Sequence, residues 1–366
     1  MPLLEEGQVI RETYEVERFL GQGAFAEVYR VKHRFLGRQA MKVFKRVGMS
    51  LDEIHEMLGE AILLSRIGHP NIVRVFDANI FEGPSGNCGY FTMENVPGGS
   101  LDKFWRSFGS SFIPVETTAD LVKQVCRGLG QAHQEKPPII HRDIKPQNIL
   151  VGYEADGLRA RVSDFGLAKK ANPLTLLATA AGTLQFKPPE AFAQHKADSP
   201  AADVWAIGMT LYLLLTDRLP VEMPEGTTWT TKHLFDKPII PPTEVNPDIS
   251  RGLGKVVMRA LEKSPESRFP TARELLHELD AAPLHDHAGS APHTAMSSEP
   301  TKAVLGNLSP MDGTHARTLV DKALEARRGG RLREAADLME EAFNKLPELR
   351  AKYAHQVKLW RCGISM

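Results

Sequence analysis

The sequence predicts an α+β protein of two unlike lobes, a small β-rich one followed by a larger, mostly helical one. Residues 14–46 are dense in β-formers and turn residues and predict three strands. Between Asn71 and Val96, short apolar runs flank a Gly/Pro/Asn-rich turn at Gly83–Gly89, which predicts two more strands. From Ala119 onward helical spacing takes over.

In the small lobe, the segment LDEIHEMLGEAILLS sets Ile54, Leu58, Ala61 and Leu64 at helical spacing, so one helix is expected beside a sheet of about five strands. In the larger lobe, helices are predicted at Ala119–Gln134, Ala202–Thr216, Arg251–Lys263 and Thr271–Leu279, the last followed by Pro283. Two unlike lobes invite a cleft between them, which is where small ligands usually bind.

Composition excludes several classes. The 366 residues suffice for two or three units with real cores. Lys plus Arg and Asp plus Glu number 45 each, so net charge points to no nucleic acid and no membrane surface. No run reaches the length of about 18 apolar residues that a membrane helix needs, and Val204–Leu215 reads as a buried helix. Met1–Ile10 has no basic start leading into an apolar stretch. Cys88, Cys126 and Cys362 form no CxxC pair and read as reduced thiols, so the expected location is cytoplasmic.

Residues 284–312 are Ser, Ala, Pro, Gly and His rich and read as a flexible linker. His285, His287 and His293 within it are expected to be solvated, because nothing fixes them in metal-ligand geometry. Beyond it, RTLVDKALEARRGGRLREAADLMEEAFNKLPE places Leu319, Ala323 and Ala326 on one face. A Gly-Gly break follows, and then Leu332, Ala335, Ala336, Met339 and Phe343. This is the pattern of a single tetratricopeptide-type helical hairpin, read as a partner-binding or self-association element because a repeat array needs about three units.

Four segments carry chemistry. LGQGAFAEVYRV sets Gly21 and Gly23 in a strand–turn–strand context where backbone N–H groups approach phosphate closely, although the same turn also serves as a plain hairpin. In RQAMKVF, alternation puts Ala40 and Lys42 on one face, either toward a ligand or, on an edge strand, toward solvent. A buried lysine needs a counter-charge, and Glu60 and Glu56 on the following helix both compete for that role. In IIHRDIKPQNILV, apolar runs bracket His141, Arg142, Asp143, Lys145 and Asn148. Asp143 can accept a hydroxyl proton there, Lys145 can meet a phosphoryl group, and Asn148 can ligate metal through its amide oxygen. In RVSDFGLAKK, Asp164 follows a short strand and offers a hard oxygen ligand suited to Mg²⁺.

Taken in order, these motifs resemble the eukaryotic-like (Hanks-type) Ser/Thr protein kinase family from residue 14 to about residue 280. The segments MENVPGGSL, GTLQFKPPE, ADVWAIG and SPESRFP continue the match, and the layout of one kinase domain with a short tail resembles bacterial members. The resemblance implies a bilobal protein kinase fold over 14–283, with an N-lobe of 14–96 and a C-lobe of 97–283. A 1–13 extension precedes it, and the 284–312 linker and a 313–366 tail follow.

It also implies ATP and Mg²⁺ as ligands and proteins as substrates. Adenine would lie among Leu20, Val28, Ala40, Met93 and Leu150, with Glu94 and Val96 in the hinge. Gly21 and Gly23 would cover the phosphates, and Lys42, held by Glu60, would grip them. Asn148 and Asp164 would hold metal, with Asp143 orienting the acceptor hydroxyl beside Lys145 and Thr183. Lys145 and Thr183 are the Ser/Thr-type residues of the family. Asp203 would steady the catalytic loop, Arg268 would pair with Glu190, and Arg142 would receive a phosphate on Thr175 or Thr179.

Ala26 stands where a third glycine is common and Pro188 where alanine is usual, but neither change removes a chemical group. The alternative is a pseudokinase scaffold that binds nucleotide and partners without turnover. Small-molecule phosphotransferases share part of the fold, but they usually carry glycine at the place of Arg142 and lack the Gly-Thr…Pro-Glu segment.

Overall fold

Side chains along Ala26–His33 (β3) and Gly37–Phe44 (β4) alternate between two apolar layers, and these layers organise the amino-terminal half. The computed structural model describes residues 2–23, 26–45, 58–59, 67–83, 86–108, 112–154, 157–165, 184–193, 198–220, 238–286, 310–328 and 331–345, together with Leu349, Tyr353, Val357 and Trp360. The chain forms two units, Met1–Leu101 with Phe112–His285, and Asp102–Ser111 with Asp286–Met366.

In the first unit, Val9–Ile10 (β1), Tyr14–Gln22 (β2), β3, β4, Val75–Gly83 (β5) and Gly86–Glu94 (β6) form a six-stranded sheet in the order β1-β2-β3-β4-β6-β5. All of its neighbours are antiparallel. The expected five strands are present. The sixth, β1, arises because residues 3–10 are not a detached extension: Leu4 and Ile10 are buried in the layer formed by Val16, Tyr29, Val31, Met41, Val43 and Tyr90. The opposite layer contains Ala26, Ala40, Phe44, Phe91 and Met93, with Leu20, Val28 and Leu150 packed against it. Of the helix expected before residue 66, only Leu58 and Gly59 are among the described residues, and both are helical.

The helical half is built on Val115–Gln134 and Pro200–Thr216. The second is buried nearly throughout, as its continuous apolar sequence requires. It starts two residues before the expected Ala202, since Ser199 caps Ala202 N–H and Pro200 fits the first turn. Arg251–Ala260 and Ala272–Ala281 are capped in the same way by Ser250 and Thr271. The unit's contacts run slightly past the expected boundary: Leu284 carbonyl accepts Ser250 N–H, and His285 bonds both Glu116 and the Asp248 carbonyl. His287 and His293 lie outside the described residues.

Sheet and helices are tied together by backbone. Ile149–Glu154 (β7) pairs with Gly157–Val162 (β8). Val162 N–H donates to Asn71 carbonyl, and Val73 N–H donates to Val162 carbonyl, each at 2.9 Å. Asn71 Nδ2 reaches Gln124 and the Ala160 carbonyl. Val151 N–H donates to Gly99 carbonyl at 2.8 Å. The chain therefore presses against β7 so closely that a Cβ on Gly98 would sit 2.1 Å from the Val151 carbonyl oxygen.

In the second unit, helices Pro310–Arg328 and Leu332–Lys345 form the expected hairpin, the first beginning inside the stretch read as linker. Leu319, Ala323, Ala326, Ala335, Ala336, Met339 and Phe343 share one core. Val357 and the fully buried Trp360 complete it, beyond the last residue of the expected pattern, Phe343. Two helices leave an apolar stripe uncovered, and the later residues supply the cover. Among the described residues, no helix is long and apolar enough to cross a membrane.

The Gly98 contact yields a test. Gly98→Ala is expected to lower stability by about 1–3 kcal/mol, because backbone must move to admit the methyl group. Thermal unfolding against wild type measures it.

Candidate active site

A short run of irregular backbone, His141 to Lys145, is held in place by groups far away in sequence. Asp203, buried in the first turn of the Pro200–Thr216 helix, accepts the N–H groups of His141 (2.8 Å) and Arg142 (2.9 Å) and meets His133 Nε2 at 3.0 Å. Burial works to raise its pKa, but the His133 bond and the neighbouring imidazole and amide groups outweigh it, so Asp203 is held below the usual carboxylate value. Arg142 has φ +68°, a left-handed conformation that is costly for a long side chain. Its backbone is gripped at both ends, because Lys187 Nζ donates to its carbonyl at 2.6 Å. Its guanidinium Nε lies 2.5 Å from Asp198.

This brings Asp143, Lys145 and Asn148 together. Lys145 Nζ lies 2.8 Å from Asp143 Oδ2, and Asn148 Nδ2 donates to the same oxygen at 3.0 Å and to the Asp143 carbonyl at 2.8 Å. Asn148 closes a short 3₁₀ turn, Pro146–Asn148, that leads straight into β7.

Asp164 follows β8. Ser163 links it to the catalytic loop: its N–H and hydroxyl both donate to the Asn148 carbonyl, and its own carbonyl meets His141 Nε2 at 2.7 Å. His141 Nδ1 accepts the Asp143 N–H, so both ring nitrogens are satisfied together only by the neutral Nε2–H tautomer. Full burial holds the imidazole pKa below its ordinary value and favours that neutral form. Asp164 is the second non-glycine residue here with positive φ, +62°.

Lys42, on the cleft-side layer with Ala40, reaches Asp164 Oδ1 at 2.6 Å and passes 5.5 Å from the Phe91 ring centroid. Burial would raise the Asp164 pKa, yet the Lys42 charge and bond prevail and hold it low. The solvent-facing alternative for Lys42 is thus excluded, since the residue is 4% exposed.

Leu20, Val28, Ala40, Met93 and Leu150 meet in one apolar cluster. Val96 is buried beside Gly152, and Glu94 pairs with Arg161 at 3.0 Å and gives its N–H to the Arg74 carbonyl. Gly21 pairs with Val28 across β2–β3, and Gly23 N–H donates to Ala26 carbonyl at 2.8 Å. Glu56, Glu60, Thr175, Thr179 and Thr183 lie outside the described residues. Arg268 forks onto Glu190 with two bonds of 2.7 Å.

Ser163, His133 and Lys187 were missed by sequence reasoning. Each acts through backbone carbonyls or a buried carboxylate, and short spacing carries no sign of such partners.

The sequence profile of the protein kinase domain matches residues 14–279. This chain belongs to the protein kinase family. The kinase chain is similar to a probable serine/threonine-protein kinase of Clostridium acetobutylicum, 34% identical over 75% of this chain and 40% of that protein. It is also similar to the serine/threonine-protein kinase PknB of Mycolicibacterium smegmatis, 30% identical over 78% of this chain and 44% of that one. It thus spans about 40% of the length of these relatives. The crystal structure of the Mycobacterium tuberculosis PknI kinase domain superposes with a TM-score of 0.57 at 26% identity, covering 76% of this chain and 99% of that one.

Two outcomes follow from the kinase geometry. His141 has a folded-state pKa below its unfolded value of about 6.5, so its contribution is complete above that pH and is lost as pH falls through it. Urea midpoints are expected to drop between about pH 7 and 5.5, less steeply in His141→Asn. Arg268→Leu is expected to cost about 3–5 kcal/mol by leaving Glu190 without its partner, measured in the same assay.

Proposed function

We propose that this chain is a serine/threonine protein kinase that transfers the γ-phosphate of ATP to protein hydroxyls. The observation that carries this reading is the cluster at Asp143, a carboxylate held by Lys145 and Asn148 on a loop that Asp203 fixes from below. Asp143 orients the acceptor hydroxyl and takes its proton, while Lys145 meets the transferred phosphoryl oxygens, with Thr183 assigned to the same pair by resemblance. Lys42 binds the α/β-phosphates, with Glu60 assigned as its helix partner.

Adenine packs among Leu20, Val28, Ala40, Met93 and Leu150. At the hinge, Glu94 offers its carbonyl, since its N–H is taken by Arg74, and Val96 offers its N–H. Gly21 and Gly23 let the hairpin backbone approach the phosphates.

The donor set fits a hard divalent cation. Asp164 is a carboxylate, and Asn148 spends its amide nitrogen on Asp143, which leaves oxygen for a metal. Asp164 and Asn148 would hold Mg²⁺, which would supply positive charge against the phosphates. The chain's own residues do the positioning.

Serine/threonine choice rests on Lys145 and Thr183. Autophosphorylation is proposed on Thr179 or Thr175, where a phosphate competes with Asp198 for Arg142. The helical tail is assigned to partner recruitment or pairing of two copies, and the location is cytoplasmic. A scaffold without turnover is favoured by no feature, because Lys42, Asp143, Asn148 and Asp164 are all present.

Wild-type protein with labelled ATP and Mg²⁺ is expected to label itself or a generic basic protein on Ser/Thr. Asp143→Asn is expected to lower the rate by about 10²–10⁴-fold with nucleotide affinity retained. Equal labelling by the variant refutes the assignment of Asp143.

A further inference from the structure

The back of the sheet carries a second carboxylate that the reaction does not use. Glu27 is 6% exposed, and it sits on β3 between Ala26 and Val28, whose side chains face the nucleotide-side layer. Alternation turns Glu27 and Tyr29 the other way, toward residues 3–10. There Leu3 N–H donates to Glu27 Oε2 at 2.8 Å, Leu4 N–H donates to the Tyr29 hydroxyl at 3.1 Å, and that hydroxyl donates in turn to Glu27. Leu4 is buried at 2% exposure, and the segment then runs beside β2 through Gly7 N–H to Val16 carbonyl and Val16 N–H to Gln8 carbonyl.

A buried carboxylate is costly unless its oxygens are met by donors. Here the donors are Leu3 N–H and the Tyr29 hydroxyl, which itself accepts Leu4 N–H, so the segment and Glu27 hold each other in place. Glu27 is also cross-strand to Gln22, and the next pair along is Gly21 with Val28. The clamp therefore grips β3 where it leaves the Gly-rich turn, one residue after the Ala26 carbonyl that receives Gly23 N–H.

We propose that residues 3–10 form a strap, anchored by Glu27, that positions the Gly-rich hairpin over the phosphates and sets nucleotide affinity. Glu27 is a positioning residue in this scheme. It touches no substrate and acts through the backbone of Gly21–Val28. The link to affinity rests on the kinase reading of the site, whereas the clamp itself does not.

The full chain carrying Glu27→Ala is compared with wild type by hydrogen exchange and by titration with ADP and Mg²⁺. Exchange across residues 16–28 is expected to quicken by about tenfold, with the Pro200–Thr216 helix unchanged. ADP affinity is expected to fall by about fivefold, while turnover at saturating ATP stays within about twofold. Glu27→Gln keeps an acceptor for Leu3 N–H and is expected to restore most of the affinity. Leu3→Pro deletes that donor and leaves every strand residue unsubstituted, at the cost of the Leu3 side chain's packing on the back layer, so it is expected to reproduce the effect even where Glu27→Ala folds poorly.

Unchanged exchange in the hairpin, or faster exchange spread evenly over the chain, overturns the proposal. Faster hairpin exchange at unchanged ADP affinity overturns its link to the nucleotide. A wild-type protein that binds no nucleotide refutes the reading of the site instead, and hairpin exchange still decides the clamp.

Discussion

One buried carboxylate underlies the catalytic geometry. Asp203 receives two backbone N–H groups from the residues just before Asp143, and charge-assisted bonds of this kind are worth about 1.5–3 kcal/mol each. That is enough to hold Arg142 in a left-handed conformation costing about 1–3 kcal/mol. Lys187, from the segment before the Pro189–Ala193 helix, takes the carbonyl of the same residue. Asp143 therefore projects from backbone bonded at the N–H groups of His141, Arg142 and Asp143 and at the carbonyls of Arg142 and Asp143, and the entropy of ordering the loop is met by folding and not at the moment of reaction.

A second linkage passes through Ser163. Its amide, hydroxyl and carbonyl all engage the catalytic loop, so Asn148 and Asp164, the two residues assigned to metal, are fixed relative to one another by a single intervening residue. Lys42 then draws Asp164 toward the sheet. The two halves of the first unit meet in this way through polar contacts whose partners lie up to 122 residues apart. The apolar cluster of Leu20, Val28, Ala40, Met93 and Leu150 spans the same join. The sheet carries side chains on both faces: its cleft side holds these residues, while its back holds Leu4, Glu27 and Tyr29.

Much of this was legible in residue order. Alternation in RQAMKVF correctly put Lys42 with Ala40, and the apolar runs around HRDIKPQN correctly bracketed a polar loop. Residues 3–10 were read as an extension because Leu3, Leu4, Val9 and Ile10 are too few and too interrupted to show a period. Their burial depends on a surface that β2 and β3 create only after folding. The tail shows the same limit, since Trp360 is far from the heptad-like pattern of Leu319–Phe343 and only packing shows that it closes their core.

By itself the sequence determined the two-lobe architecture, the family and the alternation of the strands, and it nominated the groups proposed to carry chemistry. These depend on local periodicity and on motifs whose members lie within a few residues of each other. Tertiary structure decided which charges meet: Lys42 with Asp164, Asp203 with the backbone of His141 and Arg142, Arg142 with Asp198, and Glu27 with Leu3. The reason is physical. A buried charge is tolerated only where donors or counter-charges converge on it, and that convergence is a property of the folded chain and not of any segment along it.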